Sequence, residues 1–267
     1  MKIVLIGAGN VATLLGTSLQ EKNFQIVQVY NRTLSAVETL GEKLQTNFTD
    51  QLQHIVSDAD LYVFSVKDAA LPLLLKEFPA NNGLWVHTSG SVPMNVFADS
   101  AATRYGVFYP LQTFSKSREI SFDHIPVFIE ANNSADQQLL EQTALSLSDK
   151  VIPLSSEKRK HLHLAAVFAN NFTNHLYDIA AQILKDQEID WEVLLPLIEE
   201  TAAKVRTLSP KEAQTGPAVR CDLPIIEKHL DMLNDDPKKQ AIYRMLSEGI
   251  YQQHGYCGLV VKTNKLP

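Results

Sequence analysis

Residues 2–12 read Lys2-Ile3-Val4-Leu5-Ile6-Gly7-Ala8-Gly9-Asn10-Val11-Ala12. An apolar, β-branched run enters a turn of small residues, and residues 11–21 then show helical spacing. Each small residue has a physical reason. Gly7 permits the tight turn, Gly9 lets backbone approach a ligand closely, and Ala12 lets the helix lie against the strand. The helix start also offers unpaired N–H groups and the positive end of its dipole. The spacing G-x-G-x-x-A is informative because a strand precedes it, a helix follows it and a second strand begins at Gln25. The pattern makes Gly7, Gly9, Asn10, Val11 and Ala12 a candidate pyrophosphate cradle.

The second strand ends Tyr30-Asn31-Arg32-Thr33. A site for NAD usually places Asp or Glu there, to hold a ribose 2′-hydroxyl. Here no carboxylate stands to repel a 2′-phosphate. Arg32 can pair with one in a fork, and Asn31 and Thr33 can donate hydrogen bonds. The residues therefore favour NADP.

Working outward, apolar runs at 3–6, 25–30, 61–66, 84–88, 106–109, 127–130 and 151–154 alternate with helical patterns such as 11–21 and 134–147. This alternation predicts an α/β fold, a Rossmann-type doubly wound, mostly parallel sheet. After Ser155 the pattern turns all-helical, with helices expected over 157–185, 191–208, 223–234 and 237–254. Asp190, Asp222 and Asp236 read as helix caps, and Pro196 is expected to kink or delay its helix. Domains of 1–154 and 155–267 follow.

The 267 residues carry 24 Lys and Arg against 30 Asp and Glu, a net charge of −6, which disfavours a general nucleic-acid binder. Hydrophobic residues at 45% suffice for a real core. No apolar run approaches the ~18–20 residues of a membrane helix. The strand-like start leaves no room for a signal peptide, and two cysteines, Cys221 and Cys257, make no disulfide scaffold. A cytoplasmic protein without membrane or nucleic-acid partners is expected. The histidines show no H-E-x-x-H spacing, so no metal is expected.

Ligands of doubly wound sheets sit beyond the carboxyl ends of the strands. Three such ends are polar: Ser65-Val66-Lys67-Asp68, His87-Thr88-Ser89-Gly90-Ser91 and Tyr109-Pro110-Leu111-Gln112-Thr113. Ser65 and Val66 are placed with the cofactor. Asp68 reads equally as a helix cap. His87 and Ser89 suit the nicotinamide and substrate edge. Residues 161–177 contain no Asp, Glu, Lys or Arg. At about 100° per residue, His163, Asn170 and Asn174 fall within about 40° of one another. An uncharged polar stripe points to a cleft or a packed structural surface. In the cleft reading, His163 is a candidate proton donor and Asn170 an orienting group. Arg220, beside Gly216-Pro217, can grip an acidic group or pair with Asp222.

The whole chain resembles a family of two-domain Rossmann-like NADP oxidoreductases whose C-terminal helical domain has no assigned function. That family is related to pyrroline-5-carboxylate reductases, beta-hydroxyacid and 6-phosphogluconate dehydrogenases, and deazaflavin-dependent NADP oxidoreductases. The carrying pieces are residues 7–12, 31–33, 87–90, 109–114, 163–172 and 216–222, with His229. The resemblance implies NADP binding, a 6-phosphogluconate dehydrogenase C-terminal-like helical domain and a homodimer formed through it. It also implies hydride transfer to a small carbonyl or imine at the domain interface. The catalytic set would be His163, His87, Ser89 and Asn170. Asn174, Arg220 and Gln112 would face the substrate. The beta-hydroxyacid enzymes carry a lysine about one turn before this helix's asparagine. Ala166 and Val167 stand there in this chain, so the role would pass to His163 or His87. The missing lysine also leaves open a non-catalytic, redox-sensing NADP-binding dimer.

Overall fold

The computed structural model describes residues 1–118 and 120–255. Eight strands form one sheet: β1 (Lys2–Ile6), β2 (Gln25–Tyr30), β3 (Asn47–Thr49), β4 (Leu61–Phe64), β5 (Leu84–His87), β6 (Tyr105–Pro110), β7 (Val127–Ala131) and β8 (Val151–Pro153). Their order is β3-β2-β1-β4-β5-β6-β7-β8. Neighbours run parallel except at the β6–β7 pair, which is antiparallel. This is the expected Rossmann-type α/β fold. Sequence reading did not find β3, a three-residue strand too short to show alternation.

Burial on both faces explains the continuous apolar runs of the central strands. In β1, Ile3 and Leu5 join one core cluster while Val4 and Ile6 join the other, and all four are fully buried. One cluster is covered by α1 (Asn10–Glu21), α2 (Leu34–Lys43) and α4 (Ser134–Leu147), through Leu15, Leu19, Leu40 and Leu140. The other is aromatic, with Tyr62, Phe64, Trp85 and Phe97, and is closed by Leu71 and Leu75 of α3 (Leu71–Glu77). Helix α1 lies so close to β1 that a Cβ on Gly16 would sit 2.6 Å from Leu5 Cδ1.

The strand order reverses beside β1, so the chain diverges from the ends of β1 and β4 and leaves a crevice there. Gly7 N–H donates to the Tyr30 carbonyl and Ser65 N–H to the Ile6 carbonyl, both at 2.7 Å, which fixes these strand ends side by side.

The chain forms two compact units, Met1–Phe172 and the residues from Thr173 onward. The first includes α5 (Ser156–Ala166) and a π-helical turn, Val167–Phe172. The single helix expected over 157–185 is therefore interrupted. The second unit holds α6 (Thr173–Lys185), α7 (Leu195–Lys204), α8 (Pro210–Ala213), α9 (Leu223–Met232) and α10 (Pro237–Gln253). Pro196 delays its helix as expected: a 3₁₀ turn at Trp191–Leu194 precedes α7, where the proline lies in the first turn. Asp190 and Asp236 cap through their side chains, whereas Asp222 precedes α9 without a side-chain capping bond. The buried apolar cluster of this unit consists of Ala218, Ile226 and Leu230.

Candidate functional site

The glycine turn is built as its spacing requires. Gly7 has φ +116°, and a Cβ there would lie 2.3 Å from the Ser65 carbonyl oxygen, so both backbone conformation and space demand glycine. At Gly9 a Cβ would meet nothing within 4 Å, and Gly9 precedes α1 with no side-chain cap. Gly9 thus leaves room for a close approach just before the start of α1. A cavity of about 680 Å³ extends from Gly7 and Gly9 past Asn31, Arg32 and Thr33 to Ser65 and Val66. Arg32 is exposed in its wall, and Lys67, Lys76 and Glu77 also line it. Among the described residues, no ion pair engages Arg32.

Sequence reading missed a strap across this turn. Asn10 Nδ2 donates to the Phe114 carbonyl and Lys116 Nζ to the Ala8 carbonyl, each at 2.7 Å. Gln112, from the same connection, is exposed, and its Oε1 accepts from Thr113 N–H.

The ends of β4 and β5 are linked by Thr88 Oγ1 donating to Ser65 Oγ at 3.2 Å. Beyond them, Ser89 Oγ accepts from the N–H groups of Ser91 and Val92, both at 3.1 Å. Ser91 Oγ donates to the Asp68 carboxylate. Ser89 thus spends its hydroxyl on folding the loop. Asp68 anchors Ser91 rather than capping α3, which begins after Ala70.

His87 lies deeper than an open strand end. It is fully buried and stacked on Phe97, with ring centroids 5.7 Å apart. Its Nδ1 accepts from Ser89 N–H at 3.2 Å, which puts the ring proton on Nε2. Burial, and then the charge of Arg159, push its pKa down to about 3. A histidine so enclosed supports the loop that follows β5.

His163 is half-buried on α5. Its Nδ1 lies 3.1 Å from Tyr109 Oη on β6. One turn earlier, Arg159 is fully buried. Its guanidinium donates to Glu130 Oε2 at 2.8 Å, the Val92 carbonyl at 2.6 Å and Ser156 Oγ at 3.2 Å. These bonds join α5, β7 and the loop after β5. Arg159 lies in the run Glu157-Lys158-Arg159-Lys160, which reads as a solvated face, and no local signal reveals its burial.

Asn170 is exposed within the π turn. That turn breaks the assumption of about 100° per residue behind the expected stripe of His163, Asn170 and Asn174, because i→i+5 bonding widens the helix. Asn174 and Arg220 belong to the second unit and are both exposed. Among the described residues, no ion pair joins Arg220 to Asp222. Within that unit His229 Nδ1 lies 2.8 Å from Tyr243 Oη. No group of three or more His, Cys, Asp or Glu side chains gathers to hold a metal among the described residues. Nor is any described helix long and apolar enough to cross a membrane.

Two family models match parts of the chain. The shikimate/quinate 5-dehydrogenase family model matches residues 1–81. A domain of unknown function, DUF2520, matches residues 125–250. Glutamyl-tRNA reductase of Methanocaldococcus jannaschii is 37% identical over 83 residues, 30% of this chain and only 21% of that enzyme. The putative NADP oxidoreductase BF3122 from Bacteroides fragilis is 49% identical, with a TM-score of 0.89 over 94% of this chain and 98% of its own. Protein TM1727 from Thermotoga maritima shares the fold at 18% identity, with a TM-score of 0.78 over 94% of this chain and 99% of its own. A reductive aminase from Aspergillus terreus, solved with NADPH, does so at 14% identity and a TM-score of 0.72, over 94% of both chains.

Proposed function

The chain belongs to the family of the putative NADP oxidoreductase BF3122, and on that premise we propose that it is an NADP-dependent oxidoreductase. Its reaction moves hydride between the nicotinamide and a small carbonyl or imine substrate. One observation carries the reading: the Gly7–Gly9 turn opens on a cavity whose wall, at the end of β2, carries Arg32 and no carboxylate. Gly7, Gly9 and the N–H groups of Asn10, Val11 and Ala12 hold the pyrophosphate. Arg32, with Asn31 and Thr33, takes the 2′-phosphate, and Ser65 and Val66 flank the cofactor. His163 supplies the proton, and Ser89 keeps the adjoining loop in place. Asn170 and Gln112 are the polar groups that the first unit offers to substrate, and Asn174 and Arg220 are the exposed polar candidates of the second.

Replacing Arg32 by Ala tests the cofactor assignment. Loss of a charge-assisted bond costs about 1.5–3 kcal/mol, so NADPH affinity falls roughly 10- to 150-fold. NADH affinity stays within about twofold. Equal losses for both nucleotides, in a fluorescence titration, overturn the 2′-phosphate site.

We also propose that the chain works as a homodimer through its helical part, in two domains divided near Ser155. The second unit has few buried apolar side chains but exposes Leu195, Leu197, Met232 and Met245. Leu164, Phe168 and Phe172 are exposed at the end of the first. The absence of the helix lysine, with Ala166 and Val167 in its place, favours a second reading, a redox-sensing dimer that binds NADP without turnover. A panel of ketones, aldehydes, 2-oxo acids and imines separates the two. NADPH binding with no oxidation by any member supports the sensor.

A further inference from the structure

Tyr109 and His163 are 54 residues apart in sequence, yet their rings meet nearly edge to face, with centroids 6.1 Å apart. Three elements fix the contact. Tyr109 is held in β6 and is only 8% exposed. His163 rides on α5, whose preceding turn is pinned by buried Arg159. Gly90 closes the third side: a Cβ there would lie 2.5 Å from His163 Nδ1 and 2.8 Å from Tyr109 Cζ. Among the described residues, the 3.1 Å contact is the one side-chain hydrogen bond of either group, and His163 Nε2 makes none.

The direction of that bond decides what His163 can do. If Nδ1–H donates to Tyr109, Nε2 presents a lone pair and the neutral ring can only accept a proton. If Tyr109 Oη–H donates to Nδ1, the ring proton sits on Nε2, ready to be given. We infer that Tyr109 is a positioning residue that holds His163 in the Nε2–H tautomer and so makes it a proton donor. Burial of the hydroxyl favours this direction: Nδ1 is its one side-chain partner among the described residues, so a hydroxyl that only accepted would leave its own O–H buried and unpaired. The hydroxyl is protonated in either direction, and burial raises its pKa further, with Asp68 acting in the same sense. Arg159 opposes them, Glu130 is engaged with Arg159, and His87 is neutral.

The step balances as a relay. The Nε2–H bond breaks, and its proton goes to the electron pair on the substrate oxygen or nitrogen. Nδ1 takes the Tyr109 proton, leaving the ring neutral in its other tautomer. Burial opposes a lasting tyrosinate, so solvent returns a proton to Tyr109 Oη as the transfer completes.

The inference rests on the proposed role of His163, but its test needs no substrate. In protein labelled with ¹⁵N-histidine, the His163 ring signals are identified by their loss in His163→Gln. The wild type shows the Nε2–H pattern at neutral pH, and Tyr109→Phe shifts it toward a mixture. An Nδ1–H pattern in the wild type, or one unchanged by Tyr109→Phe, overturns the inference. The wild-type spectrum decides even if the variant does not fold. A separate NADPH titration keeps the two claims apart: failure to bind overturns the cofactor reading and leaves the tautomer standing. With any ketone or imine that is turned over, Tyr109→Phe lowers kcat about tenfold at unchanged NADPH affinity.

Discussion

His87 and Arg159 show how much a single buried group governs here. His87 is neutral in the folded chain down to about pH 3, whereas in the unfolded chain it takes up a proton below its ordinary 6.5. Between those values the unfolded state binds the extra proton, so stability falls as pH falls, by roughly 1.4 kcal/mol per unit. His87→Gln removes this slope. Urea unfolding at pH 7 and at about pH 5 will therefore show the wild type losing more stability than the variant. Arg159 gives the complementary case. Glu130→Ala leaves its guanidinium buried beside one carbonyl and one hydroxyl, without a counter-charge. The expected cost is about 3–5 kcal/mol in the same assay, since an uncompensated buried charge is far worse than an exposed one. Neither group was legible in sequence. Glu130 and Val92 lie 29 and 67 residues from Arg159, and no local pattern brings them together.

At the scale of elements, legibility follows the range of the cause. The turn from β1 into α1 could be read because the demands on Gly7 and Ala12 are local. The central strands could be read because burial on both faces leaves an unbroken apolar run. The π turn at Val167–Phe172 could not, because its apolar spacing resembles that of an ordinary helix. The caps show the same limit. Asp222 and Asp236 look alike in sequence, each just before a helix with a proline in its first turn. In the structure only Asp236 accepts, from Lys239 N–H at 3.1 Å. Asp236→Ala is expected to cost about 1 kcal/mol and Asp222→Ala almost nothing, measured as shifts of the urea midpoint.

For the whole molecule, the contrast between the two units matters most. The first has cores on both faces of its sheet, while the second is rich in exposed Leu, Ile, Val and Met. If these side chains are covered by another copy, Phe168→Asp on the exposed face of the π turn will convert dimer to monomer in light scattering. It will also lower the melting temperature in a concentration-dependent way. An unchanged dimer would exclude that face.

The small cluster of Ala218, Ile226 and Leu230 has a kinetic consequence. Residues 1–172 can collapse as soon as they leave the ribosome, because their apolar partners lie within the same stretch. In the proposed homodimer, the segment after Thr173 would be completed only by a second polypeptide. Its maturation is then a bimolecular event whose rate follows the local density of nascent chains. Sparse synthesis would leave a finished nucleotide-binding half trailing an unfinished helical one.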